Sequence, residues 1–232
     1  MTLLSTLFPL ICWFAYNNGV PFFEKRRPSL SVIMSMQRRR WVANAVKRDT
    51  PVDAILSGNL MGSVSFLAST SSILALAVFT AFGNLTALTD TLNTAGLRVS
   101  YTAQDVQIHL FTLLAIFVLS FFSFTLALRQ FNHFCILLGA IDHSEHTTAD
   151  EITAIAQLNT LAAKNFNNGI RAYYFAVPMV FWFISEWAAI GVSLVTVAFL
   201  IHREFFSSAH RVAASIAVLA SRREKELGEG KG

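Results

Sequence analysis

Residues 172–201 read AYYFAVPMVFWFISEWAAIGVSLVTVAFLI, thirty residues whose one formal charge is Glu186. A helix crosses a hydrocarbon core about 30 Å thick with about 20 apolar residues. Thirty are too many for one upright span and few for two. A single long helix gives the chain four spans and sets its two most basic segments on opposite faces. A tight helical pair, broken around Ser185 to Trp187, gives five spans, with each half near the short limit of about 17 residues. The pair places Pro21–Ala54, Asp142–Lys164 and the C-terminal tail on one side. Lys and Arg favour cytoplasmic loops, which supports the second reading.

The rest of the chain fits the same class. It is 54% hydrophobic and 14% charged, with 21 Phe in 232 residues; an average soluble domain carries roughly 25% charged residues. The apolar residues gather in long runs that a water-soluble core does not require. The expected fold is an all-α polytopic bundle of four to five spans, at about 3–19, 55–82, 109–128, 170–185 and 187–203, with a cytoplasmic tail over 208–232. Residues Thr2–Asn17 lack a preceding basic residue and a clear small-residue cleavage site, so they read as an uncleaved first span. Pro28 and Pro51 bracket a basic amphipathic helix, Ser29–Arg48, suited to an anionic membrane surface through Arg38, Arg39, Arg40 and Trp41. Thr148 and Glu151 have the capping-box spacing, predicting a helix from Ala149 to about Asn165. Asn167-Asn168-Gly169 reads as a turn before the next span, and Gly83–Ile108 as a polar loop.

The candidate site residues lie mainly in 55–82. Gly58, Gly62, Ser65, Ser69 and Ser72 recur at spacings of four and three, which puts them on one helix face, with Asn59 adjoining. Small residues at this spacing let helices approach closely; hydroxyls and an amide also line ion paths. Both readings, pore lining and helix packing, stay open. Glu186, Arg129, Arg171 and Asp53 are the charges near span ends. Each is either an interfacial anchor or a pathway charge. Asp53 either caps the helix that follows or pairs with one of Arg38–Arg40. His143, Glu145 and His146 are weak metal-ligand candidates in a short polar loop. Cys12 and Cys135 read as small buried side chains.

The run Met36-Gln37-Arg38-Arg39-Arg40-Trp41, then Arg48, Asp53 and Ser63–Ser72, forms one set of spaced motifs. Asn168-Gly169-Ile170-Arg171-Ala172-Tyr173-Tyr174-Phe175, Trp182 and Arg203-Glu204-Phe205 form another. From about Trp13 to Ser207 the chain resembles the uncharacterised membrane family labelled domain of unknown function 599. That resemblance implies a multipass membrane protein and supplies no catalytic residues.

No nucleotide-binding glycine loop, GxSxG elbow or HExxH helix is present. Neither an enzyme nor a cofactor is expected. The net charge of +4 is accounted for by basic residues flanking apolar runs rather than by nucleic acid. The expected function is a homo-oligomeric channel or transporter for ions or small solutes, in contact with anionic lipid headgroups. It would sit in a bacterial inner membrane, amino terminus outside and carboxyl terminus cytoplasmic. The rival is a non-transporting scaffold that grips lipid and another membrane protein.

Overall fold

A computed structural model describes residues 2–48, 51–96, 100–141 and 147–229. These form helices only: α1 (Thr2–Glu24), α2 (Leu30–Ala45), α3 (Val52–Phe82), α4 (Leu85–Thr94), α5 (Ala103–Gly139), α6 (Ala149–Phe181), α7 (Glu186–Phe205) and α8 (Ser208–Glu229). Three stretches are long and apolar enough to cross a membrane: Val52–Phe82, Ala103–Gly139 and the α7–α8 run Glu186–Arg223.

The thirty-residue apolar run is two helices. Pro178 lacks the N–H that an inner turn needs, and the chain leaves helix after Phe181. Ser185 is extended and Glu186 opens α7, where a carboxylate favours the positive helix end. The buried carbonyl of Met179 accepts a hydrogen bond from His109 Nε2 at 2.8 Å. His109 stacks on Trp182, whose indole donates to Ser5 Oγ at 3.2 Å. Tyr101 closes the corner by donating to the Phe183 carbonyl.

Several boundaries differ from those read in the sequence. Asn167-Asn168-Gly169 is no turn: α6 runs unbroken for 33 residues from its Thr148–Glu151 capping box. Gly169 serves close packing instead. A Cβ there would lie 2.6 Å from the Phe124 ring. The polar loop after α3 contains α4, whose Thr89 bonds back to the Leu85 carbonyl. Helix α1 passes Gly19 to reach Glu24, whereas α5 continues past Arg129 to Gly139 as the apolar stretch Phe131–Ile141 allows. The tail from Ser208 is helical through Glu229.

Helix α5 is the axis. It runs antiparallel to α3, bringing Phe82 against Phe111 at 4.6 Å at one end and Met61 near Cys135 at the other. It is also antiparallel to α6, as the pairs His109–Met179, Ser120–Gly169 and Gln130–Asn165 require. Helix α1 pairs with α6 and α7. At 37 residues, α5 is about 55 Å long, well beyond one hydrocarbon core. Its far end packs Phe134 against Val42 of α2 and Ile155 and Ala156 of α6. This second layer collects the basic residues of α2, α8 and the chain around Arg48 and Lys164. The opposite end carries Asp90, Asp105 and Glu186, with no Lys or Arg among the described residues.

The exterior is apolar. Phe66, Ile73, Leu76 and Phe79 of α3, Phe122 and Ile136 of α5, and Trp187 and Val195 of α7 all stand exposed. Patches of that extent are rare on monomers in water.

Gly169→Ala should lower the thermal unfolding midpoint in detergent, because overpacking costs about 1–3 kcal/mol. Gly19→Ala, whose Cβ meets nothing within 4 Å, should raise it by up to about 1 kcal/mol through helix propensity. Circular dichroism melts of the two variants check the contrast.

Candidate functional site

Two faces of α3 carry small or polar residues, about 100° apart. The buried one is Asp53, Ser57, Val64, Ala68 and Ser71. Ser71 Oγ shares a hydrogen bond with Tyr173 Oη at 2.8 Å and lies 3.4 Å from Ser120 Oγ. Ser120 in turn donates to the Gly169 carbonyl at 3.1 Å. This chain of hydroxyls joins α3, α5 and α6. Sequence reading missed Ser71 because it singled out the neighbouring face; the alternation of Ser71 with Ala68 and Val64 was the available signal.

At the inner end of the buried face, Asp53 sits in the first turn of α3 without capping it. Its Oδ1 accepts from Trp41 Nε1 at 2.5 Å and from Arg48 at 2.9 Å. The partner is therefore Arg48 rather than one of Arg38–Arg40. Oδ2 is buried without a hydrogen bond, and so is Ser57 Oγ one turn on. Both border a cavity of about 540 Å3 lined also by Arg48, Gly58, Met61 and Cys135. Cys135 donates to the Met61 sulfur at 3.7 Å. A buried acceptor left unpaired costs free energy. An unpaired carboxylate oxygen beside an unpaired hydroxyl, both facing one cavity, suits a cation or a hydrogen-bond donor. Pairing with Arg48, whose side chain is 42% exposed, leaves the local charge near neutral.

The second face is Gly58, Gly62, Ser65, Ser69 and Ser72, with Asn59 beside it, all exposed. A methyl group on Gly58 or Gly62 would meet no atom of the chain within 4 Å. Ser72 Oγ bonds the Ala68 carbonyl, while the Ser65 and Ser69 hydroxyls make no hydrogen bond among the described residues. Nothing among the described residues explains these glycines, each of which costs about 1 kcal/mol in a helix. Gly58 also borders the Asp53 cavity, so cavity and open face are continuous.

The charged candidates do not converge. Arg171 donates to Asn17 at 3.1 Å, lies over the Tyr16 ring, and lines a separate polar cavity with Lys164, Asn168 and Glu24. Arg129 is exposed on α5, and Glu186 lies at the far end in the first turn of α7. Of the residues read as lipid-facing, Trp41 turns its indole inward to Asp53 and packs on Phe134. Burial pulls the Arg38 guanidinium below the usual arginine range. Arg39 and Arg40 border a cleft between α2 and α8. His143, Glu145 and His146 lie outside the described residues.

Ser57→Ala should leave the unfolding midpoint unchanged or slightly raised, because no bond is lost. Asp53→Ala should lower stability by about 1–3 kcal/mol, since the buried indole N–H loses its acceptor. Melts of both variants in detergent check this.

No curated protein and no solved structure matches the chain. Residues 4–209 match the model of one family, described as "Protein of unknown function, DUF599". The match covers most of the 232 residues, and the chain is a member of that family.

Proposed function

We propose that the protein is a multipass membrane channel or transporter for ions or small solutes that works as a homo-oligomer. In this reading α1, α3, α5, the second half of α6 and α7 cross a bacterial inner membrane. The amino terminus is outside, and the layer of α2 and α8 is cytoplasmic. The charge asymmetry between the two ends supports that orientation.

One observation carries the reading: α3 leaves its Gly58–Ser72 face open, directly above the half-satisfied Asp53–Ser57 cavity. Helix α3 lies at the edge of the bundle, with only 17% of its most apolar window buried. A second copy packed on the small residues would give the glycines their purpose. Symmetric closure is the common way for small chains to build such an interface. Asn59, Ser65, Ser69 and Ser72 would then supply the polar path. The acceptors at Asp53 and Ser57 favour a cation or donor-bearing solute at the inner mouth. No catalytic role is assigned. The rival role, a scaffold without transport, uses the same α3 face for assembly alone.

Reconstituted into liposomes, the wild type should pass K+ or another small cation, read with an ion-sensitive dye. Ser69→Leu and Ser72→Leu should reduce flux with the oligomer intact. Gly62→Leu should weaken association by at least about tenfold, equivalent to about 1.4 kcal/mol, measured by mass photometry. Wild-type oligomer without flux for any tested ion or solute, alongside a stable protein partner, would assign the scaffold role.

A further inference from the structure

A groove of about 520 Å3 runs between α1 and α7. Its walls are hydrocarbon and aromatic: Ala15, Gly19 and Phe23 from α1, and Leu194, Val197 and Ile201 from α7. Phe23, Leu194 and Ile201 are exposed, so the groove opens outward. It is open because residue 19 has no side chain, and the fold does not demand that absence. A Cβ on Gly19 would meet nothing within 4 Å.

Two arginines close the inner end. Arg26 and Arg27 both line the groove where α1 stops, and Arg27 lies over the Phe206 ring at 4.6 Å. The nearby acids are occupied by neutral donors. Glu24 accepts from Ser29 Oγ, and Glu204 accepts from the Ser31 amide. Neither arginine has an acidic partner among the described residues. From Cys12 to Phe23 the α1 wall rises about 16 Å. One leaflet of a hydrocarbon core is about 15 Å deep.

We infer that this groove is a phospholipid site: one acyl chain lies along α1 and α7, and the anionic headgroup phosphate sits on Arg26 and Arg27. Length, apolar walls and charge position agree on the same occupant. A soluble anion would have no use for the apolar length, and an uncharged apolar ligand none for the arginines. The site rests on the membrane reading above but not on transport. It is distinct from the open α3 face.

The test uses the full chain in nanodiscs of mixed phosphatidylglycerol and phosphatidylcholine, with retained lipid counted by native mass spectrometry after release. Wild type should retain one phosphatidylglycerol. Two arginines at about 1 kcal/mol each correspond to roughly thirtyfold preference over phosphatidylcholine. Arg26→Gln with Arg27→Gln should abolish that preference. Gly19→Leu should abolish retention with an unfolding midpoint no lower than that of the wild type. Arg222→Gln with Arg223→Gln, on α8, should leave retention as in the wild type.

Equal retention in the wild type and the arginine variant overturns the proposal. So does a Gly19→Leu protein with normal lipid but altered oligomeric mass, which would assign the groove to a second copy. A chain monodisperse in plain buffer would remove the membrane setting and the lipid site together. Retained lipid with no measurable flux would uphold the groove while defeating the transport reading.

Discussion

The seam between α5 and α6 holds the rest of the structure in place. Phe124 lies over Gly169 so closely that any side chain at 169 would collide with the ring. That approach lets Ser120 reach the Gly169 carbonyl and puts Tyr173 within reach of Ser71 on α3. One missing Cβ thereby sets the spacing of three helices. The same seam continues past the apolar zone, where Gln130 accepts from Asn165 and Phe134 packs under Trp41. The inner layer and the apolar bundle are therefore one continuous body, built on two long helices rather than joined by a linker.

Within that body most buried polar groups have partners, but among the described residues Trp13 Nε1, Gln37 Nε2, His109 Nδ1, Asn159 Nδ2 and His210 Nδ1 do not, and Asp53 Oδ2 and Ser57 Oγ are the unpaired two that border one cavity together. The hydroxyls that join α3, α5 and α6 have partners, as they must where water is scarce. Tyr101, His109 and Trp182 knit the corner after α6 in the same way. Asp53 Oδ2 and Ser57 Oγ do not conform, although Trp41 and Arg48 stand beside them and use only Oδ1. A fold under no other demand would spend its donors evenly. The neighbouring glycines repeat the pattern, because they accept a helix-propensity cost that no internal contact returns. Cavity and open face both make sense once something from outside the chain occupies them.

Much of the fold was legible because its cause is local. The capping box at Thr148–Glu151, the basic helix after Pro28 and the break near Ser185 each follow from neighbouring residues. The open face of α3 was legible too, since helical spacing alone places Gly58 through Ser72 together. The errors came from long-range contacts. Asn167-Asn168-Gly169 has the composition of a turn, yet α5 packs there and the glycine serves Phe124 instead. Trp41 looks like an interfacial anchor, but its acceptor, Asp53, lies twelve residues away across a turn. Asp53 reads as either a cap for α3 or a partner of one of Arg38–Arg40, and it does neither, because the turn after α2 delivers Arg48 to it.

The distribution of charge links these features to one another. Every described Lys and Arg lies in or beside the inner layer, while the outer corner is held by aromatic stacking and neutral hydrogen bonds. An apolar exterior alone would fit either orientation in a bilayer. The proposed orientation rests on the cations gathered at one end, because Lys and Arg favour the cytoplasmic side of a membrane. The same gathering of charge puts Arg26 and Arg27 at one end of the α1–α7 groove and Arg48 beside the Asp53 cavity. The proposed orientation, lipid site and inner mouth thus all rest on one feature of the charge distribution. Among the described residues the Lys and Arg gather toward one end of the bundle, and the only charges at the other end are acids.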